Sequence, residues 1–217
     1  MKLFLKALAL GCVALPIALV AFSDIALAQT DTRAVQKPFR IKVGGAFTGG
    51  KIEAGGIEYG KIDYRPNAGL SYDFTKTNAT NPIVLSVYGD YFMGNGDKSV
   101  TLAGQTANFE YESTTFAIGI AARYTLTPPT TPGGHPYAEL GVGYYSTKLK
   151  EEVGTLSESK TEGSIGGKVA LGYQLANGIF GEFEYSLIPQ FETRFANDLV
   201  DTKYNPSAIR ASLGYRF

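Results

Sequence analysis

Apolar and polar residues alternate along most of the chain from Phe39 to Phe217. A repeat of two residues is the spacing of a β-strand, because successive side chains of a strand point to opposite faces. The alternating segments are separated by clusters of Gly, Pro, Asn and charged residues, which are typical of turns. The pattern predicts eight strands, at Phe39–Phe47, Ile62–Phe74, Ile83–Tyr91, Thr115–Leu126, Tyr137–Tyr145, Ser164–Leu175, Ile179–Leu187 and Ile209–Phe217.

The connection between the sixth and seventh strands provides an independent check on these faces. Residues paired across a hairpin share a face, and Leu175 and Ile179 both belong to the apolar face. The turn is therefore predicted to be the three residues Ala176, Asn177 and Gly178, with Gly178 in the left-handed conformation. A two-residue Asn-Gly turn would reverse the faces of one strand.

The volumes of the side chains on the two faces predict which face is outside. Alternating strands fit either a soluble barrel with an apolar interior or a membrane barrel with an apolar exterior. The polar face is rich in glycine, whereas the apolar face carries Tyr, Phe, Ile and Leu, which would overfill a narrow lumen. We therefore expect an all-β, eight-stranded antiparallel up-and-down transmembrane β-barrel. A soluble barrel that binds apolar ligands would require reversed faces. The glycines on the polar face are Gly44, Gly69, Gly119, Gly141, Gly143, Gly166, Gly172 and Gly214.

Aromatic residues of the apolar face collect near the strand ends. Two such groups are the pattern expected where a membrane barrel crosses two water interfaces. One predicted rim contains Phe39, Phe74, Tyr124, Tyr173 and Phe217, and the other contains Phe47, Tyr64, Tyr91, Phe116, Tyr144 and Tyr185.

The connections between the predicted strands alternate between long and short, as in bacterial outer-membrane barrels. The long ones are predicted to lie on the outer surface, at Thr48–Lys61, Met93–Thr114, Ser146–Gly163 and Ile188–Tyr204. The shorter ones are predicted to face the periplasm with both termini, at Thr75–Pro82, Thr127–Pro136 and Ala176–Gly178. The charged segment Lys148–Glu162 fits either a hydrated loop or a hairpin that continues above the membrane and offers its edge to a partner strand.

The first 28 residues have the features of a secretory signal peptide. Lys2 and Lys6 form a positive start, an apolar stretch follows, and Ala26 and Ala28 supply the small residues of a cleavage site. The predicted organisation is a signal peptide at 1–28, a periplasmic N-terminal segment at 29–38 and an outer-membrane β-barrel at 39–217.

Composition excludes several classes of function. Lys and Arg total 20 and Asp and Glu total 20, so there is no basic excess for binding nucleic acid. The only cysteine is Cys12 and the only histidine is His135, which leaves no basis for a disulfide framework, a metal site or a cofactor site. His135 has no phased serine or acid beside it, so we expect a protein that is not an enzyme.

The last strand carries a resemblance to a known family. Residues Ser212–Phe217 alternate and end in an aromatic residue, and Leu-Gly-Tyr occurs at 171–173 and 213–215. These features resemble the OmpA-like, OmpX-like and opacity-protein group of small outer-membrane barrels. The resemblance implies surface-antigen or porin-family relatives, contact with outer-membrane lipid, and assembly with periplasmic chaperones and the barrel-assembly machinery. It also implies that Tyr215 and Phe217 form the assembly signal.

The polar face would place cations and carboxylates together in the lumen. Unpaired charge is costly in a narrow interior, so we expect a network of ion pairs that fills the barrel. The function predicted from this is structural, in envelope integrity, or a surface interaction through the outer loops. The alternative is a small-solute or ion channel, with a path lined by Arg65, Arg123 and Glu139. The predicted lumen residues are Arg40, Lys42, Asp63, Arg65, Asp73, Asp90, Arg123, Glu139, Lys168, Glu182, Glu184, Arg210 and Arg216.

Overall fold

The computed structural model of the protein describes residues 37–54, 57–75, 82–102, 105–127, 134–153, 156–195 and 200–217. The predicted signal peptide with its cleavage site at Ala26 and Ala28, and the N-terminal segment up to residue 36, lie outside the described residues. No helix in the described ranges is long and apolar enough to cross a membrane. The strands are β1 (Phe39–Ala54), β2 (Ile57–Asp73), β3 (Ile83–Leu102), β4 (Gln105–Thr125), β5 (His135–Val153), β6 (Leu156–Gln174), β7 (Ile179–Leu187), β8 (Phe191–Phe195), β9 (Val200–Tyr204) and β10 (Ala208–Arg216).

The strands form one antiparallel sheet that closes on itself. Each strand from β1 to β7 pairs with its neighbour in the chain, and β10 pairs with both β7 and β1. The closing ladder runs from Arg40 opposite Arg216 to Phe47 opposite Ile209. The prediction of a closed eight-stranded antiparallel barrel is confirmed, because β8 and β9 continue β7 and β10 toward one end. We call the end where Phe39 meets Phe217 the terminal end, and the opposite end the far end.

The last two barrel strands are each interrupted at a proline. Pro189 separates β7 from β8 and Pro206 separates β9 from β10, and proline has no N–H to donate to a ladder. The hydroxyl group of Ser207 bridges the two breaks, since it accepts a hydrogen bond from the Ile188 N–H (3.0 Å) and donates one to the Ile188 carbonyl (2.9 Å). A side chain thus provides the connection that the backbone ladder lacks at this point.

The orientation of the two faces is as the sequence predicts. Outward side chains such as Ile165 and Phe183 are 73% and 70% exposed. Arg123 and Glu139, in contrast, are each only 3% exposed and point into the lumen. The three-residue turn is also confirmed: the Leu175 N–H donates to the Ile179 carbonyl, and Gly178 has a φ of 97°.

The strands extend farther toward the far end than predicted, into the described parts of the long connections, and for Lys148–Glu162 the hairpin alternative is confirmed. Strand pairing runs through most of Thr48–Lys61, Met93–Thr114, Ser146–Gly163 and Ile188–Tyr204, and β4 is 21 residues long. The strands continue because their inward positions at the far end carry further buried residues. Ile52, Tyr111, Leu149 and Tyr204 form an apolar cluster there, with Phe191 packed against it. We call these residues the upper cluster.

Two ladders stop partway to the far end. The described β2–β3 pairing ends at Asn67 and Phe92, and the described β6–β7 pairing ends at Gly167 and Leu187. The β5–β6 ladder, in contrast, continues to Val153 and Leu156. Above Gly167, the described pairing of β6 is therefore on its β5 side alone.

Candidate functional site in the barrel lumen

The lumen collects the predicted polar residues from all eight barrel strands. Their phase along each strand sends them inward, and antiparallel pairing places them at matching heights. The side chains of Asp63 and Arg65 lie outside the described residues. The remaining predicted residues are buried or nearly so: Arg40, Lys42, Asp73, Asp90, Arg123, Glu139, Lys168, Glu182, Glu184, Arg210 and Arg216.

At the terminal end, the carboxylate of Asp73 pairs with two arginines. Its Oδ2 atom accepts hydrogen bonds from the Nη2 atoms of Arg123 (2.5 Å) and Arg216 (2.9 Å). Arg216 also donates from Nε to the backbone carbonyl of Lys37 at 2.7 Å. This arrangement ties the first described residues to the last strand and closes the terminal end with charge-assisted hydrogen bonds.

Arg40 organises the next layer of the lumen. Its guanidinium donates to Glu139 (3.2 Å), to Glu182 (3.3 Å) and to the hydroxyl group of Tyr137 (2.7 Å). Tyr137 in turn donates to Glu182 at 2.9 Å. The planar guanidinium also lies 4.1 Å from the centre of the Phe180 ring, which is a cation–π contact. A lysine could not reproduce this combination of a fork and a stacked plane.

Lys42, Lys168 and Arg210 fill the centre of the barrel. Lys42 donates to Glu182 (2.8 Å) and Glu184 (2.7 Å), and Lys168 forms an ion pair with Glu139 (3.0 Å). Arg210 pairs with Glu184 and Asp90 and donates to Ser186. The network therefore links both halves of the sheet across the lumen.

The charges of the described network nearly cancel. Arg40, Lys42, Arg123, Lys168, Arg210 and Arg216 give six cations, and Asp73, Asp90, Glu139, Glu182 and Glu184 give five carboxylates. Near-neutrality is what a narrow interior of low dielectric requires.

Aromatic side chains also fill the lumen, and the sequence reasoning did not single them out. Tyr88, Tyr137, Tyr145 and Phe180 are at most 3% exposed and occupy positions of the polar phase. That phase was readable from the sequence, since Tyr137 lies two residues before Glu139, but the sequence pointed only to glycines and charged residues as the contents of the polar face. The rings show why so many lumen positions are glycine.

Each of several lumen glycines provides space for one ring. A Cβ atom at Gly172 would lie 2.2 Å from the Tyr137 ring, and one at Gly214 would lie 2.2 Å from the Phe180 ring. Gly119 and Gly143 make the same room for Tyr88. Glycines and large rings therefore interlock in layers, which satisfies the need for close packing inside a small barrel.

Above the ionic layers, apolar residues close the lumen toward the far end. Tyr88, Phe92, Ala117, Ala121, Tyr145 and Ile188 form one cluster. Beyond it, Thr115 and Thr147 share a hydrogen bond of 3.0 Å, and the hydroxyl group of Tyr204, a residue of the upper cluster, donates to the hydroxyl oxygen of Ser113 at 2.7 Å. Polar layers thus alternate with apolar ones from the terminal end to the far end.

The space left inside this packing is small. A cavity bounded by Arg40, Lys42, Tyr88, Asp90 and Lys168 has a volume of about 10 Å³, roughly enough for one water molecule. Of the residues expected to line an ion path, Arg123 and Glu139 both take part in the network. The Nη1 atom of Arg123 lies 3.7 Å from the Oε2 atom of Glu139. The described lumen is a packed core built from ion pairs and aromatic rings.

His135 does not take part in the network. It is the first residue of β5, at the terminal end, and lies opposite Gln174 on β6. Burial and the nearby Arg216 and Arg123 lower the pKa of its imidazole.

Two rings of outward aromatic residues surround the barrel. Phe39, Phe74, Tyr124, Tyr173 and Phe217 are exposed near the terminal end, and Phe47, Tyr91, Phe116, Tyr144 and Tyr185 are exposed farther along, whereas the side chain of Tyr64 lies outside the described residues. On β4, Phe116 and Tyr124 are separated by about 27 Å of strand, which the usual tilt reduces to roughly 20 Å. Between them the outward residues are apolar, including Ile118 and Ile120. The exterior is therefore an apolar band between two aromatic rings.

A packed polar lumen inside an apolar band is the arrangement of a membrane-spanning barrel, and the family comparison agrees. A family model described as outer membrane protein beta-barrel domain matches residues 13–217. The chain belongs to this family. Membership places the protein in the outer membrane, as the sequence predicts. A search of curated proteins finds no match.

Several solved structures are similar to this chain. The outer membrane protein OprG from Pseudomonas aeruginosa is 17% identical with a TM-score of 0.55, and the alignment covers 86% of this chain and 99% of OprG. The transport unit of the autotransporter AIDA-I from Escherichia coli is 10% identical with a TM-score of 0.53, over 90% and 96% of the two chains. Ail, the attachment invasion locus protein of Yersinia pestis, is 14% identical with a TM-score of 0.45, over 84% and 100%. At these identities, the likeness to OprG and AIDA-I concerns the fold.

Proposed function

We propose that this protein is a non-enzymatic outer-membrane barrel that does not conduct and that acts through its far end, in surface interactions or in envelope integrity. The observation that carries the proposal is the lumen, where ion pairs and aromatic rings leave a central cavity of about 10 Å³. A channel for small solutes would need a continuous solvated path through these layers. The packed lumen favours the sealed barrel over that alternative.

The proposed topology has both termini in the periplasm. The connections at the terminal end include the three-residue turn at 176–178, whereas the far end carries long strand extensions. Short turns on the periplasmic side and long extensions outside are the usual arrangement of bacterial barrels. The leader at 1–28 would direct export, and Tyr215 and Phe217 would be read by the barrel-assembly machinery, after periplasmic chaperones have carried the chain.

The far end supports the surface part of the proposal. The β3–β4 ladder continues to Leu102 and Gln105, which lie about 40 Å of strand beyond the ring residues Tyr91 and Phe116. A purely structural anchor has no need of such extensions. The upper cluster holds them in place, so they present an ordered surface rather than loose loops.

Recording in a planar lipid bilayer tests the sealed lumen. Purified protein should give no stable unitary current step over hours at moderate voltage, because no continuous aqueous path crosses the ionic layers. A large porin inserted under the same conditions serves as the positive control. Reproducible unitary steps that require the folded, heat-modifiable form would overturn the sealed-barrel proposal in favour of the channel.

Shortening one far-end hairpin tests where the protein acts. Residues 151–158 can be replaced by a two-residue turn between Lys150 and Ser159, which face each other across the ladder, so that Leu149 of the upper cluster is kept. The shortened barrel should remain heat-modifiable but lose binding to host cells or envelope components. Retained binding would place the contact outside this hairpin. A full-length protein that binds no surface, together with increased entry of bulky antibiotics into cells that lack the protein, would assign it to envelope integrity instead.

A further inference from the structure

We propose that a groove in the outer wall of the barrel binds one acyl chain of an outer-membrane lipid, and that Asn205 binds an oxygen atom at the headgroup end of the same lipid. The groove lies on the lipid side of β6, β7 and β10. We call it the wall groove. The inference goes beyond the proposed function, because it depends neither on a sealed lumen nor on binding by the far end.

The first observation is the size and lining of the wall groove. Its volume is about 630 Å³, within the range of roughly 300–1,000 Å³ that is usual for small-molecule sites. Its apolar residues point outward from three neighbouring strands and are 42% to 70% exposed. They are Val169 and Leu171 of β6, Phe183 and Tyr185 of β7, and Ile209 of β10.

The depth of the wall groove in the membrane determines what fills it. Val169, Tyr185 and Ile209 form one row across the ladders, at the height of the aromatic ring to which Tyr185 belongs. Leu171 and Phe183 form the next row toward the terminal end, within the apolar band. The medium at this depth is hydrocarbon. An acyl chain fills the groove there, because an empty apolar groove would lose dispersion contacts.

The second observation is a pair of polar side chains at one end of the wall groove. Asn205 and Ser207 line it on the far-end side of Ile209. An apolar site with polar groups at one end fits an amphiphile, whose chain and headgroup differ in the same way. Because the groove reaches the height of an aromatic ring, the headgroup of its lipid lies beside these polar residues.

The side chain of Asn205 is oriented for a contact with the headgroup. Its Oδ1 atom accepts a hydrogen bond from the Ser207 N–H at 3.0 Å. This bond fixes the amide group and directs the role of its Nδ2 atom, which carries two N–H donors. The ester and phosphate oxygens of a lipid are acceptors for such donors. The Ser207 hydroxyl, in contrast, is used by Ile188.

The wall groove lies against a break in the barrel wall. The β7–β10 ladder ends at Ser186 and Ala208, and the β8–β9 ladder begins at Phe191 and Tyr204. Between the two ladders, Ser207 bridges to Ile188, which belongs to the apolar cluster of the lumen. A chain bound in the groove covers the membrane side of this break.

Retention of lipid in detergent tests the site directly. The barrel is folded in vesicles of phosphatidylethanolamine and phosphatidylglycerol, extracted in a mild detergent and weighed by native mass spectrometry. Most wild-type barrels should carry one phospholipid after the bulk lipid has been removed.

Filling the wall groove should displace this lipid. Val169→Phe adds a ring inside the groove and should lower the ratio of lipid-bound to lipid-free barrels about tenfold, which corresponds to about 1.4 kcal/mol. Val142→Phe is the matched control, because Val142 is an outward, 50% exposed valine of β5 that lies outside the groove. It should retain lipid like the wild type. Both variants keep an apolar side chain toward the membrane, so both should fold.

Changing Asn205 tests the contact with the headgroup. Asn205→Asp keeps the oxygen acceptor for the Ser207 N–H but replaces the amide donors with a negative charge. Retention of phosphatidylglycerol should fall several-fold. Asn95→Asp makes the same change at an exposed position of β3 outside the wall groove, and it should have no effect.

Stability in detergent provides a second measurement. A ligand that binds only the folded barrel raises its unfolding midpoint. Added phosphatidylglycerol should therefore raise the midpoint of the wild type and of Val142→Phe, but not that of Val169→Phe. Sodium phosphate at the same concentration should not raise it, because the acyl chain contributes the apolar contacts.

The proposal fails if the wild-type barrel retains no lipid, or if Val169→Phe and Val142→Phe retain it equally. Lipid-free dimers that Val169→Phe disrupts would assign the wall groove to a second copy of the chain instead. Unchanged retention by Asn205→Asp would overturn the headgroup contact. Failure of the proposed function is measured separately, by bilayer currents and by surface binding, and none of the results above decides it.

Discussion

Several lumen positions of this protein require glycine because an aromatic ring lies directly beside them. In the lumen, Gly172 lies against Tyr137 and Gly214 lies against Phe180, at distances where a Cβ atom would overlap the ring. Outside the barrel, Gly181 has no such neighbour, because a Cβ atom there would lie 3.6 Å from Leu213. Glycine therefore has two roles in this sheet: the inward glycines make room for aromatic rings, whereas the outward Gly181 does not.

Adding one methyl group separates these two kinds of glycine. Gly172→Ala should destabilise the barrel by about 1–3 kcal/mol, since the new Cβ atom forces the Tyr137 ring off its hydrogen bonds to Arg40 and Glu182. Gly181→Ala should change stability by less than about 0.5 kcal/mol. Urea unfolding in lipid vesicles measures both. Equal effects of the two variants would show that the ring contact is unimportant.

Removing one carboxylate from the network should cost far more than removing an exposed one. Glu139 contacts Arg40, Lys168 and Arg123, and its loss would leave buried cations uncompensated. Glu139→Ala should lower the free energy of unfolding by about 3–5 kcal/mol. Glu192→Ala, which removes an exposed partner of Lys203, should cost about 1 kcal/mol or less. The same vesicle unfolding experiment compares them, and a mild effect of Glu139→Ala would contradict the network.

At the scale of elements, the far-end hairpins depend on a second core and on the charges that border it. On β5 and β6, Glu151 faces Glu158 across the ladder, and Tyr111 of β4 faces Glu151 from the other side. Burial and the carboxylate of Glu158 raise the pKa of Glu151. The folded hairpin therefore binds a proton more tightly than the unfolded chain does.

The sign of this pKa shift predicts how the hairpin responds to pH. Stability contributed by protonated Glu151 is present below its unfolded pKa and is lost as the pH rises through the raised folded value. Backbone amides of the β5–β6 hairpin should be better protected from hydrogen exchange at about pH 5 than at pH 7, after correction for intrinsic exchange rates. Glu151→Gln should remove the difference.

Glu152 is the matched control for this experiment. Its neighbour Lys150 donates a hydrogen bond to it and lowers its pKa, so its contribution has the opposite sign. Glu152→Gln should leave the gain in protection at low pH intact. A hairpin whose protection is independent of pH in the wild type would show that Glu151 does not limit its stability.

For the whole molecule, closure joins the first described strand to the last residue. Phe39 and Phe217 exchange two backbone hydrogen bonds (3.0 and 2.9 Å), and their rings stack with centres 5.8 Å apart. The residue predicted to act as an assembly signal is thus also a structural part of the seam. The two roles call for different experiments.

Deleting Phe217 should affect assembly in cells more than folding in vitro. The deletion removes two backbone hydrogen bonds and two stacked ring pairs, with Phe39 and with Tyr215, each pair being worth about 0.5–1.5 kcal/mol. Folding into vesicles should therefore proceed with modestly lower stability, whereas heat-modifiable protein in the outer membrane should fall several-fold. Phe39→Leu removes the stacking of residue 39 on Phe217 and keeps the C-terminal residue with its stacking on Tyr215, so it should assemble nearly normally. If both variants fail equally in cells, the residue acts only through closure.

The sequence by itself determined the strand phase, the turn at 176–178 and the inward direction of those charged residues that the structure describes. Alternation is a local property, and a slip of one residue would send Arg123 and Glu139 into lipid. It did not reveal where strands end at the far end. The period of two continues through Lys148 and Lys150, but polar residues occupy both faces of that segment, so its sequence resembles that of a loop.

Only the tertiary structure decided which residues meet across the barrel. The contact of Arg40 with Glu139 joins residues 99 positions apart, and closure of the sheet sets their distance. It also decided that Ile52, Leu149 and Tyr204 belong to one upper cluster and that the described β6–β7 ladder ends at Gly167. Strand phase depends on neighbours in the chain, whereas pairing across the lumen and the end of each ladder depend on how the whole sheet curves and closes.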